Sequence, residues 1–192
     1  MEPRRRLIFR KHSKVEFGAV CMNNDWLLRA RRPGDLEKEI PFELEYAAED
    51  EDIKLVYLED PIAECSYVVV SGAQMDHARE IIRKKLPIWS DDELLQDWRK
   101  APHDTAQILA ILRIGVGAPF RCDGRFAETL KEGLAHADSA VREASLAAVG
   151  YTEWPEFDQS LKDIAQNDSS ERCRKRAVYM LQVRERERGA RA

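Results

Sequence analysis

The chain has little of what dedicated chemistry is built from. It carries four cysteines and four histidines in 192 residues. Cys21, Cys65, Cys122 and Cys173 are far apart, and no C-x-x-C spacing occurs, which argues against a zinc site. They read as reduced thiols of a cytoplasmic protein. His12, His77, His103 and His136 are isolated from one another. There is no G-x-x-x-x-G-K-[ST] phosphate loop, G-x-G-x-x-G turn, G-x-S-x-G elbow or H-E-x-x-H helix. No apolar run approaches the ~20 residues of a membrane span. Behind the basic start Met1–Arg6 only Leu7-Ile8-Phe9 is apolar, too short for a signal-peptide core. A net charge of −4 argues against a general nucleic-acid binder. Together these absences predict a non-enzymatic chain without cofactor or metal. Cys122 is the one thiol placed for activation, beside Arg121 and near a helix start. The competing reading is an inert thiol.

What is present is periodicity. Val141, Ser145, Ala148 and Val149 fall at i, i+4, i+7 and i+8, one stripe of a 3.6-residue period. Cys173, Ala177, Met180 and Leu181 repeat those offsets 32 residues on. Ile108, Leu112, Gly115 and Val116 anticipate them by 33. Gly150 is read as the end of the middle helix. A second helix follows the Trp154-Pro155 step, with Phe157, Leu161, Ile164 and Ala165 apolar. Phe126, Leu130 and Leu134 precede Phe157, Leu161 and Ala165 by 31 residues. Self-similarity at this period predicts stacked helix pairs, each too small to bury its own apolar face. The small residues let backbones approach closely.

Asp138-Ser139-Ala140-Val141-Arg142, with Ser145, Ala148 and Val149-Gly150 behind it, resembles the D-P-x-V-R-x-x-A-x-x-A-L-G opening of short HEAT-like repeats, also seen in phycobilisome-lyase-type proteins. Asp168–Ala177 is similar, with an insertion before the Cys173 position. The Ile108 copy is degenerate, with Leu109 in the arginine position. The resemblance is confined to the C-terminal half. It implies a binding scaffold, and no residue of lyase chemistry carries over.

The first half reads differently. The segment from Met1 to Lys14 is rich in Arg and Lys. It reads as a frayed terminus, or alternatively as an arm for nucleic acid or acidic lipid. Val15, Phe17 and Ala19 give a weak strand signal. Asn23-Asn24-Asp25 reads as a turn, Trp26–Leu28 as strand or helix, and 29–35 as a loop. Phe42, Leu44 and Tyr46 alternate with Glu43 and Glu45, a strand. Glu49–Asp52 is an acidic run, read as a solvated loop. Ile53–Leu58 and Cys65–Val70 flank Asp60-Pro61 and predict a hairpin. Ala78, Ile81, Ile82 and Leu86 define a helix that Pro87 stops. Ser90-Asp91-Asp92-Glu93 is a capping box for a short helix carrying Leu94, Leu95 and Trp98.

The expected fold is therefore α+β: a small sheet-and-helix domain over 1–101, then a short α-solenoid of HEAT-like pairs over 102–192. Another protein is the expected partner, with the chain acting as an adaptor or as a neutralising partner. The expected contact residues are Arg125, Lys131, Tyr151, Trp154, Asp158 and Lys162, on the second helices and at the bends. For Trp154 the competing reading is a cap over the helical core. The alternative function is nucleic-acid binding through Arg4–Arg6 and an Arg172–Arg176 ridge. A third class, an enzyme of the helical-repeat DNA glycosylase type, rests on fold analogy alone.

Overall fold

The computed structural model describes residues 4–49 and 52–191. The chain divides into two compact units, Met1–Glu93 and Leu94–Ala192. The division falls ahead of the expected 101/102 boundary. The reason is Trp98, which packs with the later helices: its indole N–H donates to Glu132 at 3.2 Å, and its ring meets His136 edge-on.

The first unit is a five-stranded antiparallel sheet in the order β1-β5-β4-β3-β2. The strands are β1 (Arg4–Ile8), β2 (Leu27–Arg32), β3 (Phe42–Ala47), β4 (Lys54–Asp60) and β5 (Cys65–Ser71). Register sets one apolar row across four strands, Leu44 opposite Tyr57, Tyr57 opposite Val68, and Val68 opposite Leu7. Helix α1 (Lys14–Met22) lays Phe17 on this row, stacked with Tyr57 and edge-on to Tyr46. Helix α2 (Met75–Lys85) adds Ala78 and Ile82, both fully buried. The expected hairpin is β4–β5. Its turn is tied by the Asp60 carboxylate, which accepts the Ile62 and Ala63 N–H groups at 2.9 Å.

Three expectations for this half are corrected. Residues 4–8 are not frayed but form β1, with Leu7, Ile8 and Phe9 buried and Arg5 in a two-pronged pair with Asp91 at 2.7 Å. Val15–Ala19 is helix, not strand. Phe17, Val20 and Cys21 are buried on one side of α1, while Val15 and Met22 are apolar and exposed on the other, so no single stripe marks the helix. Residues 29–32 belong to β2, an edge strand exposed on both faces, where alternation has nothing to record. Of the acidic run, Asp50 and Glu51 lie outside the described residues.

The capping box forms as written: Glu93 accepts from the Ser90 N–H at 2.9 Å, and Ser90 Oγ accepts the Glu93 N–H at 3.3 Å. It opens α3 (Asp91–Lys100). With the Ser90 N–H and hydroxyl and Arg10 all donating to it, the pKa of Glu93 is held down to about 2.

The second unit is helical throughout. It contains α4 (Asp104–Gly117), α5 (Gly124–Leu134), α6 (Ser139–Thr152), α7 (Asp158–Asn167) and α8 (Glu171–Arg191). Asp123 and Asp138 cap α5 and α6, their carboxylates taking the first free N–H groups. Phe126, Leu130, Val141, Leu146, Phe157 and Leu161 are fully buried. Helix α6 is central, packing against α4, α5 and α8. It runs through Gly150 and ends at Thr152, with Glu153 in the left-handed region at φ 53°. Residues 183–191 continue α8, from which Arg184 and Arg188 both reach Asp158.

The contact of α4 with α6 is backbone on backbone. A Cβ at Gly115 would stand 2.5 Å from the Ala148 Cα and carbonyl oxygen. A Cβ at Gly150, on the outer side of α6, would meet only the Met180 methyl, at 4.0 Å. The two glycines should therefore respond oppositely to alanine. Gly115→Ala should destabilise by about 2 kcal/mol through overpacking. Gly150→Ala should stabilise by about 0.5–1 kcal/mol through lost chain entropy. Urea denaturation of both variants gives the two signs; equal shifts would contradict the close contact.

Candidate functional site

The expected contact residues separate into two groups. Asp123 fixes the start of α5 by accepting the Arg125 N–H at 2.9 Å, and the helix then presents the Arg125 and Lys131 side chains to solvent. The Arg125 guanidinium also meets the Asp123 carboxylate at 3.4 Å, an exposed pair. Phe126 and Leu130 turn inward. On α7, Leu161 faces the core and Lys162 faces water. These three cations stay on the surface.

Trp154 does not. It is 2% exposed, a correction to its place on the expected surface. Its indole N–H donates to the Pro119 and Phe120 carbonyls at 3.2 and 3.3 Å, and its ring stacks on Phe157 at 6.1 Å. Its own carbonyl accepts from Arg184 at 2.9 Å. The side chain thus closes the bend after α4 onto the start of the next pair, the cap reading of this residue. Asp158 is also occupied: Arg184 and Arg188 donate to its two oxygens at 2.7 and 2.5 Å. Burial opposes its ionisation, but the two arginines outweigh that and hold its pKa below the usual carboxylate range. Tyr151 is half-buried.

Four cations of the nucleic-acid alternative, Arg5, Arg172, Arg174 and Lys175, have partners within the chain. Arg5 is held by Asp91. Arg172 meets Glu143 at 3.0 Å and Lys175 meets Glu171 at 2.7 Å. Arg174 donates to the Asp168 and Ser169 carbonyls. The Arg4 side chain lies outside the described residues.

One arrangement escaped the reading of sequence. Arg142 donates through Nε and Nη2 to both Asp168 oxygens at 2.8 Å, and through Nη1 to the His136 and Ala137 carbonyls at 2.9 Å. One guanidinium thus ties the end of the α5 bend to the loop before α8. Arg174, which occupies the matching place in the next copy, donates to the carbonyls of its own preceding bend in the same way. The signal was the recurrence of Asp before Arg in successive copies; the pairing of Arg142 with the next copy's Asp was not apparent from either copy alone.

His103 Nδ1 accepts the Ala106 N–H at the start of α4, and His136 Nδ1 accepts the Asp138 N–H at 3.1 Å. The Cys122 thiol is exposed, but partial burial and then Glu156 push its pKa up, away from a thiolate. Among the described residues no group of three His, Cys, Asp or Glu could hold a metal ion, and no helix is long and apolar enough to cross a membrane. A hollow of about 190 Å³ beside α3 and α4 is lined by Lys100, Pro102, Ala106 and Leu109, with Arg113 held to Asp97 at 2.5 Å. Comparison with known proteins finds no matching family model, curated protein or solved structure.

The Arg142 fork has a pH signature. It lowers the Asp168 pKa by hydrogen bonding, against the opposing effect of burial. A carboxylate whose folded pKa is depressed stabilises above its unfolded value, near 4, and loses that stabilisation as pH falls through the folded value. Asp168→Asn should therefore cost about 2 kcal/mol at neutral pH. The cost should shrink steadily below about pH 4. Denaturant titrations of both proteins across that range test this; a cost independent of pH would show that the charge on Asp168 contributes nothing.

Proposed function

We propose that the chain is a non-enzymatic protein-interaction module, an adaptor or neutralising partner whose second unit is a short HEAT-like solenoid. The observation that carries this reading is the exposure of Arg125, Lys131 and Lys162 on the equivalent helices α5 and α7. Trp154 and Asp158 are spent inside the unit, holding its bends. What remains on these helices is a rigidly mounted polar surface that carries cations. Glu128, Glu132 and Asp163 are exposed on the same helices, so a partner patch that carries both signs of charge is its complement. The resemblance of Asp138–Gly150 and Asp168–Ala177 to HEAT-like openings, together with the corresponding roles of Arg142 and Arg174, supports the solenoid reading. Four cysteines in the thiol form fit a cytoplasmic setting.

Nucleic-acid binding is the weaker reading, because Arg5, Arg172, Arg174 and Lys175 already have partners within the chain. Phosphate contacts would have to displace them.

Affinity capture with the wild-type chain and with the Arg125→Glu, Lys131→Glu, Lys162→Glu triple variant separates the readings. All three side chains are exposed, so the variant should keep the helical circular dichroism of the parent. The recovered partner should bind the variant at least tenfold more weakly, a loss of about 1.4 kcal/mol or more. Undiminished binding rejects the surface. A steep fall of DNA or RNA affinity with salt would favour the alternative.

A further inference from the structure

The sheet of the first unit has two edges, and they are treated differently. β1 is closed along its end by residues 87–89. Phe9 bridges Ile88, the Arg10 N–H donates to the Pro87 carbonyl, and the Trp89 N–H donates to the Ile8 carbonyl, both at 2.9 Å. β2 has no such cover: among the described residues it pairs with β3 alone. All of β2 except Ala30 is exposed, including Leu27 at 44% and Leu28 at 53%. An open strand edge with apolar side chains is a template for another strand.

The charges on β2 decide which strand. It carries Arg29, Arg31 and Arg32 and no acidic residue. Register assigns them to faces. Arg31 and Leu28 lie opposite Leu44 and Tyr46 and share their face, and the Arg31 guanidinium rests 5.4 Å from the centre of the Phe42 ring. Leu27, Ala30 and Arg32 lie opposite Ala47, Glu45 and Glu43 and share the other face. Arg32 is already met there, by Glu43 at 2.6 Å and by Glu45. Arg29 meets Glu49 at 3.6 Å. Arg31 has no ion pair among the described residues. A second copy of β2 would set arginine against arginine, which destabilises directly opposed strands. An acidic strand would meet attraction where a copy meets repulsion, so the same charges that guard the edge give it specificity. The register shift between Leu28 and Ala30 breaks the regularity of the strand and limits pairing to a short segment.

We propose that β2 is a docking edge for a short extended segment of another protein in which carboxylates alternate with apolar residues. The carboxylates stand on the face of Arg31, and the apolar residues cover Leu27 and Ala30 on the opposite face. Recognition of this kind takes affinity from main-chain hydrogen bonds and selectivity from alternate side chains. This edge is independent of the surface on α5 and α7, so either can fail alone.

The test is an amide-resolved NMR titration of the full chain with a peptide alternating glutamate and valine, against its lysine–valine counterpart. The acidic peptide should shift the amides of Leu27–Arg32 and slow their exchange. It should bind at least tenfold more tightly than the lysine peptide. Arg31→Glu should reverse that preference while the β3 and β4 amides keep their positions. If that variant misfolds, Arg31→Gln should still weaken the acidic peptide several-fold. Equal affinity for both peptides, shifts confined to other residues, an Arg31→Gln chain that binds as the parent does, or self-association through β2 would each overturn the proposal.

Discussion

Two helix backbones touch at Gly115 and Ala148, and much of the second unit follows from that contact. No side chain can stand between α4 and α6 there, so small residues are demanded on both helices. The same holds one face round, where a Cβ at Gly133 on α5 would collide with the Ser145 hydroxyl of α6. Helix α6 is thus approached closely from two sides, and its Ser145, Ala148 and Val149 are fully buried as a result. Close approach fixes the spacing of helices but not their ends. The ends are fixed by polar groups: Arg142 at one bend, Trp154 and Arg184 at the next, Arg174 at the last. Each donates to backbone carbonyls in a bend that follows a helix.

This division of labour explains which side chains are left for function. Aromatic and charged residues near the bends were candidates for contact with a partner, yet the bends consume them. Trp154 and Asp158 hold the fold, and an unmet carbonyl or buried carboxylate would be costly without them. Arg125, Lys131 and Lys162 on α5 and α7 are exposed. They stand toward solvent because Phe126, Leu130 and Leu161 anchor the helices beneath them. A similar logic operates in the sheet, where Arg5 is bound to Asp91 while Arg31 on β2 has no ion pair among the described residues.

Sequence pattern made some of this legible. Helices α5 and α7 carry stripes with a buried and a wet side, and periodicity records that difference. The β4–β5 hairpin and the Ser90–Glu93 capping box are local devices whose partners lie close by in the chain, and both appear as read. The failures share a cause. β1 is a short strand whose three arginines mask it, and its identity depends on pairing with β5, far along the chain. α1 is apolar on both sides, so it has no stripe. β2 is wet on both faces, so it has no alternation. Trp154 carries the same local signal whether it caps a core or faces a partner; the Pro119 and Phe120 carbonyls, distant in sequence, decide the matter. Exposure could be read where a helix face alone determined it, as at Lys162, and could not where a distant acceptor did.

The claim at the centre of this account is that the bend after α5 is held to the loop before α8 by the Arg142–Asp168 link. A double-mutant cycle with Arg142→Ala and Asp168→Ala measures that link directly, by urea denaturation at neutral pH. The account predicts a coupling of about 1–3 kcal/mol between the two substitutions. Strictly additive effects would show that the two residues act independently, and would contradict it.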